Sequence, residues 1–125
     1  MVFETDLIRK SREYVEKFLK ENTKDHFYYH DFQHFSDVAG AAVEIGKASN
    51  LSEAQLETVV IAAWFHDTGY FTGKDNHEIA GKDIAVEFLR SLKVDEQKIS
   101  EVAGCIIATK MPQRPTNIME EVLCD

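Results

Sequence analysis

Little in this sequence breaks a helix. Only two prolines occur in 125 residues, Pro112 and Pro115, and both fall late in the chain. Everything before them can therefore run in uninterrupted helical segments. Cysteine is equally scarce. Cys105 and Cys124 are too few for a disulfide framework and lack the paired spacing of a thiolate metal site, which fits a cytoplasmic setting. No apolar run approaches the roughly 18 residues that would span a membrane. Residues 1–10 are mixed and charged, unlike a secretory leader. Basic side chains are in deficit, 14 against 22 acidic, for a net charge of −8. That excludes the clustered positive footprint needed to hold a long nucleic acid. A small phosphorylated partner stays open, because a divalent cation and one or two basic groups can set the field inside a pocket.

What is present reads in helical periods. With 44% hydrophobic and 29% charged residues, the chain has the composition of a globular protein, and its length suits one domain with one core. A first helix is expected over about residues 3–20, with Leu7, Ile8, Tyr14, Val15, Phe18 and Leu19 on its apolar face. Asp31 is a good N-cap for a second helix running to about Ala48. Ser52 and Gln55 make a capping box that opens the third. That helix becomes apolar all round from Val59 to Phe65 and so belongs at the centre of a bundle. It ends at His66-Asp67-Thr68-Gly69, with Gly73 in the same loop. Asp75 and Glu78 suggest a second capping box and a fourth helix to about Leu92, with Ile79 inward. Asp95 caps a fifth, to about Lys110, with Ile107 inward; after a loop at 111–115, Thr116 starts a short last helix carrying Ile118. No strand-like alternation, repeat or linker appears, so the expectation is an all-α, single-domain bundle of about six helices.

Five histidines occur, and their placement is informative. His26 reads as an ordinary surface residue. His30 and His34 stand four apart, on one helical face if both are helical. His66-Asp67 closes the most apolar helix. Adjacent residues in mid-helix point about 100° apart, but at a helix end the chain can relax and both can lean to one side. A polar pair that follows Ala62-Ala63-Trp64-Phe65 needs a partner to offset its desolvation. A metal ion is one such partner, a hydrogen-bonded structural pair the other. A histidine on one helix, His-Asp at the end of the next and an aspartate two helices later together raise the metal to equal standing with the structural pair.

The segments Tyr29-His30-Asp31-Phe32-Gln33-His34 and Ala62-Ala63-Trp64-Phe65-His66-Asp67-Thr68-Gly69-Tyr70 resemble the first two motifs of the HD superfamily of metal-dependent phosphohydrolases. Asp75-Asn76-His77-Glu78-Ile79-Ala80 and Ile107-Ala108-Thr109-Lys110 are similar to later stretches of small HD hydrolases, so the resemblance covers roughly residues 26–125. It implies His34, His66 and Asp67 as metal ligands and His30 as proton donor to a leaving oxygen. The family's last aspartate follows a stretch like Glu120-Glu121-Val122-Leu123-Cys124-Asp125, so the fourth ligand is Asp125 or a residue beyond the chain end. Dinuclear members add histidines after the His-Asp pair. His77 could supply one, but Thr109 stands about where another is expected, and the resemblance therefore implies one ion.

Two imidazoles and two carboxylates suit manganese, iron, cobalt, nickel or magnesium better than a closed structural zinc site. Such an ion would activate water against a phosphate ester of a nucleotide or another small phosphorylated molecule. Asp67 could also hold that water, and Glu78 could order it, although capping explains Glu78 as well. Lys110 and Arg114 are the candidate phosphate contacts, Arg as a planar fork and Lys as a point charge. Lys74 reads as solvent-facing, and Tyr28 and Tyr29 as lining the entrance. Trp64, Phe65 and Tyr70 read as core or pocket wall rather than as groups that stack on a base. Two other readings stay open: a catalytically weak or inactive HD-type regulatory module, and a dinuclear iron oxygenase. The sequence leaves a homo-oligomer open.

Overall fold

The structure, a computed structural model, describes residues 3–23, 28–73, 75–110, 113 and 115–124. Its helices are α1 (Asp6–Asn22), α2 (Tyr28–Ala48), α3 (Glu53–Phe65), α4 (His77–Ser91), α5 (Glu96–Ala108) and α6 (Ile118–Cys124). A 3₁₀ turn at Thr68–Phe71 joins α3 to α4. No strand occurs among the described residues, so the fold is all-α as expected. No described helix is long and apolar enough to cross a membrane.

The centre is α3. Its residues from Thr58 to Phe65 are all buried, so the helix has no solvent face there. Each large apolar side chain contributes about 1.5–3 kcal/mol when fully withdrawn from water. Around it pack Ile8, Val15 and Leu19 of α1, Phe35, Ala39 and Ala42 of α2, and Ala85 and Leu89 of α4. Ile99, Val102 and Ile106 of α5 and Met119 and Val122 of α6 complete the core. Ser52 and Gln55 form the expected capping box at the start of α3. Lys98 of α5 fastens the same end, donating to the Ala54 carbonyl at 2.7 Å and to Thr58 Oγ1 at 2.8 Å, beside Glu57 at 3.2 Å. Asp95 caps α5 by accepting from the Gln97 and Lys98 amides.

Several local expectations are corrected. Helix α1 starts at Asp6 because the Thr5 hydroxyl accepts the Ile8 amide and caps it. Helix α2 starts at Tyr28, so Asp31 lies in its first turn, where a carboxylate also favours the helix dipole. Asn76, not Asp75, precedes α4, and no side chain caps it, so the Asp75–Glu78 box does not form. At the last helix Thr116 lies outside. Asn117 Oδ1 accepts the Glu120 amide, while the buried Glu120 carboxylate accepts from the Thr116 amide and hydroxyl and from Asn117 Nδ2. Ile79, Ile107 and Ile118 are exposed rather than inward, which single surface apolar residues commonly are. Tyr14 is partly exposed but stacks on Phe88, with ring centroids 4.5 Å apart.

The tightest packing lies where the 3₁₀ turn meets α4. A Cβ on Gly69 would stand 1.8 Å from the His77 carbonyl oxygen and 2.9 Å from the Gly81 amide nitrogen. A Cβ on Gly81 would stand 3.0 Å from the Phe65 oxygen and 3.1 Å from the His66 oxygen. Both crossings are backbone on backbone. Gly40, by contrast, has nothing within 4 Å of an added Cβ and lies on exposed α2. Gly69→Ala should therefore cost about 3 kcal/mol, the upper range for overpacking. Gly40→Ala should gain about 0.5–1 kcal/mol from helix propensity. Urea unfolding of the two variants checks both signs; equal effects would refute the close crossing.

Candidate functional site

The last turn of α3 satisfies its own carbonyls with side chains. His66 Nδ1 lies 2.8 Å from the Ala63 oxygen, and Thr68 Oγ1 donates to the Phe65 oxygen at 2.6 Å. With its Nδ1 proton on Ala63, His66 turns Nε2 away from the helix. The backbone then relaxes from φ −60°, ψ −32° at His66 to φ −97°, ψ 1° at Asp67. Those last angles lie in the sparsely populated bridge region. The relaxation lets two adjacent side chains face each other, with His66 Nε2 3.2 Å from Asp67 Oδ2.

His34 arrives from α2. Its neighbours are anchored: Phe32 pairs with Trp64 of α3 at 5.4 Å between ring centroids, and Phe35 with Phe71 of the 3₁₀ turn at 6.3 Å. That grip sets His34 Nε2 3.6 Å from the same Asp67 Oδ2. The His34 side chain is 63% exposed, against 16% for His66, so the group opens to solvent on the α2 side.

Electrostatically the group is coupled. Burial alone would keep His66 neutral, but the hydrogen bond and charge of Asp67 outweigh it and raise its pKa above 6.5. Burial likewise opposes ionisation of Asp67, yet His66 and then His34 hold its carboxyl below 3.8. If the Nδ1 proton stays on Ala63, a neutral His66 would set a lone pair against a carboxylate oxygen. A proton or a cation between them resolves that clash.

These donors fit a metal ion in kind, and pairwise in spacing. Two donors each about 2.1 Å from one ion, at 90–110°, stand roughly 3.0–3.4 Å apart. The two contacts to Asp67 Oδ2 are close to that. Even so, no three His, Cys, Asp or Glu side chains among the described residues are gathered as a ready-made cage. The histidines reach Asp67 as two pairs. Asp125, expected as the fourth ligand, and Arg114 lie outside the described residues, as do Lys74, His26 and the side chains of Tyr28 and Tyr29.

The other candidates are placed as follows. His30 is exposed, one turn before His34 on α2. Glu78 is half-buried in the first turn of α4. Lys110 is exposed just past the end of α5. Trp64 and Phe65 are core, one of the two placements expected; Tyr70 is not core but 57% exposed, with its ring centroid 4.1 Å from that of His77. The sequence reading also missed Thr68 and Gly81 as supports of the group. A glycine inside a helix costs about 1 kcal/mol, and Gly81 within α4 was a readable sign of close approach.

The pair gives the metal-free protein a pH signature. The raised His66 pKa contributes stability that is fully present below 6.5 and lost as pH rises through the folded value. The lowered Asp67 pKa contributes stability present above 3.8 and lost as pH falls. In chelator, unfolding free energy should decline as pH rises above 6.5 and through the raised His66 pKa, and His66→Gln should flatten that decline. An identical slope in wild type and variant would refute the coupling.

Among known proteins the match is to a family rather than to individuals. No curated protein and no solved structure matches the chain. The HD domain family matches residues 31–120, a span that contains His34, His66 and Asp67 and most of the helical core. The chain thus belongs to the HD-domain family, the superfamily of metal-dependent phosphohydrolases.

Proposed function

We propose that the protein is a metal-dependent phosphohydrolase that cleaves a phosphate ester of a nucleotide or other small phosphorylated molecule. One observation carries the reading: in a member of this family, two imidazoles from different helices converge on one carboxylate oxygen, Asp67 Oδ2. His34, His66 and Asp67 would hold a single divalent ion, of manganese, iron, cobalt, nickel or magnesium, with Asp125 as fourth ligand. Bound there, the ion would lower the pKa of a coordinated water and stabilise charge on the phosphoryl oxygens.

The chain's own residues supply the rest. His66 is oriented by the Ala63 carbonyl, which fixes the tautomer that leaves Nε2 free for coordination. Asp67 would accept a proton-bearing contact from the attacking water as well as ligate. His30, solvent-accessible and one turn from His34, would give a proton to the leaving oxygen. Lys110 and Arg114 would bind the phosphate, and Glu78 would order water at the edge. A second reading, a binding module without turnover, draws on the absence of a preassembled three-residue cage among the described residues.

Elemental analysis after incubation with each candidate metal, followed by assay on a panel of phosphate esters, tests both readings. About one ion per chain is expected, lost in His34→Ala and Asp67→Ala. His30→Ala should keep the ion and lower kcat on the order of 10²–10⁴. Ion binding without turnover of any ester would support the binding module. No ion in any form would overturn the phosphohydrolase reading.

A further inference from the structure

Tyr70 is the largest exposed aromatic surface among the described residues that adjoins the candidate site, and nothing assigned so far uses it. Its side chain is 57% exposed, yet the backbone beneath it is among the least free in the molecule. The Tyr70 amide donates to the Asp67 oxygen at 3.2 Å, and Thr72 donates to Gly69 through its amide at 3.1 Å and its hydroxyl at 2.7 Å. Gly69 lies hard against the His77 carbonyl. In a 3₁₀ turn residues three apart eclipse one another. Tyr70 therefore leaves the turn on the same side as Asp67, one turn further on. Behind it stands the half-buried His77, with ring centroids 4.1 Å apart and planes tilted by 41°.

A rigidly held ring with one face backed and more than half its surface in water suits a flat, apolar partner. The chemistry of the site supplies the partner, because the proposed substrate carries a phosphate toward Asp67 and needs a seat for its remainder one turn away. We propose that Tyr70, braced by His77, is the platform on which the base of a nucleotide substrate stacks, and so selects nucleotides over ring-free phosphate esters. This rests on the phosphohydrolase reading for its phosphate end. The seat itself needs only an aromatic face.

Two measurements separate the proposal from that reading. The first is binding of adenosine, which has no phosphate, to the full chain by saturation-transfer NMR. Wild type and Tyr70→Phe should bind, whereas Tyr70→Leu, which keeps apolar bulk but no π-face, should lose the signal. Unchanged circular dichroism would show that the variant still folds. The second is the ratio of kcat/KM for adenosine 5′-monophosphate to that for glycerol phosphate. Tyr70→Leu should lower that ratio roughly five- to 150-fold, the range for loss of one stacked base, mainly through KM, and Tyr70→Phe should restore it. Adenosine binding that depends on Tyr70, with no ester cleaved, would sustain the platform and sink the hydrolase. Cleavage with an unchanged ratio, or adenosine binding that ignores Tyr70, would overturn the platform and leave the hydrolase standing. No adenosine binding, together with a dimer that Tyr70→Leu dissociates, would assign the ring to a protein interface and overturn it too.

Discussion

Backbone touches backbone where the turn after Asp67 crosses the start of α4, and the geometry of the candidate site hangs on that contact. Gly69 faces the His77 carbonyl, and Gly81 faces the carbonyls of Phe65 and His66, at separations that leave no room for a methyl group. Side chains can repack around a mutation, but peptide planes in direct contact cannot. The end of α3, the 3₁₀ turn and the first turn of α4 therefore behave as one body. Asp67, Tyr70 and His77 are fixed relative to one another by it, and Phe71 carries the same body to Phe35 beside His34.

A buried helix that ends in polar groups must account for each of them. Helix α3 withdraws its apolar run from water and then exposes carbonyls that nothing further along the helix can reach. His66 and Thr68 reach back to two of these, and every buried side-chain polar atom among the described residues has a hydrogen-bond partner. The same bond that satisfies Ala63 aims His66. Capping the helix and orienting the imidazole are thus one interaction, and removing it would disturb stability and site together.

The elements that depend on local chemistry were legible in the sequence. The Ser52–Gln55 box, the Asp95 cap and the all-round apolar α3 that stops at His66 follow from spacing alone. The convergence of His34 and His66 on Asp67 was anticipated through the order of the motifs. What was misread depended on tertiary context. Asp31 has the side chain of a cap, but the helix around it begins at Tyr28 and continues through Phe32, which pairs with Trp64 of α3. Tyr70, read as core or pocket wall, is 57% exposed beside His77. No periodicity rule distinguishes that turn from the helix before it. For Arg114 and Asp125, which lie outside the described residues, the expectation still rests on sequence.

Charge orders the events the proposed reading requires. The C-terminal end of α3 presents the negative end of its dipole toward His66 and Asp67, and the last turn carries no basic residue. Asp67 is held ionised, and the protein as a whole carries a net charge of −8. Such a field draws a divalent cation and repels a phosphate. The cation therefore has to arrive first. With a cation held there, the local sign would invert, and a phosphate would meet a positive centre within an acidic surface. Affinity for the anion would then be set by the occupancy of the cation site, so an acidic surface is compatible with a small phosphorylated substrate.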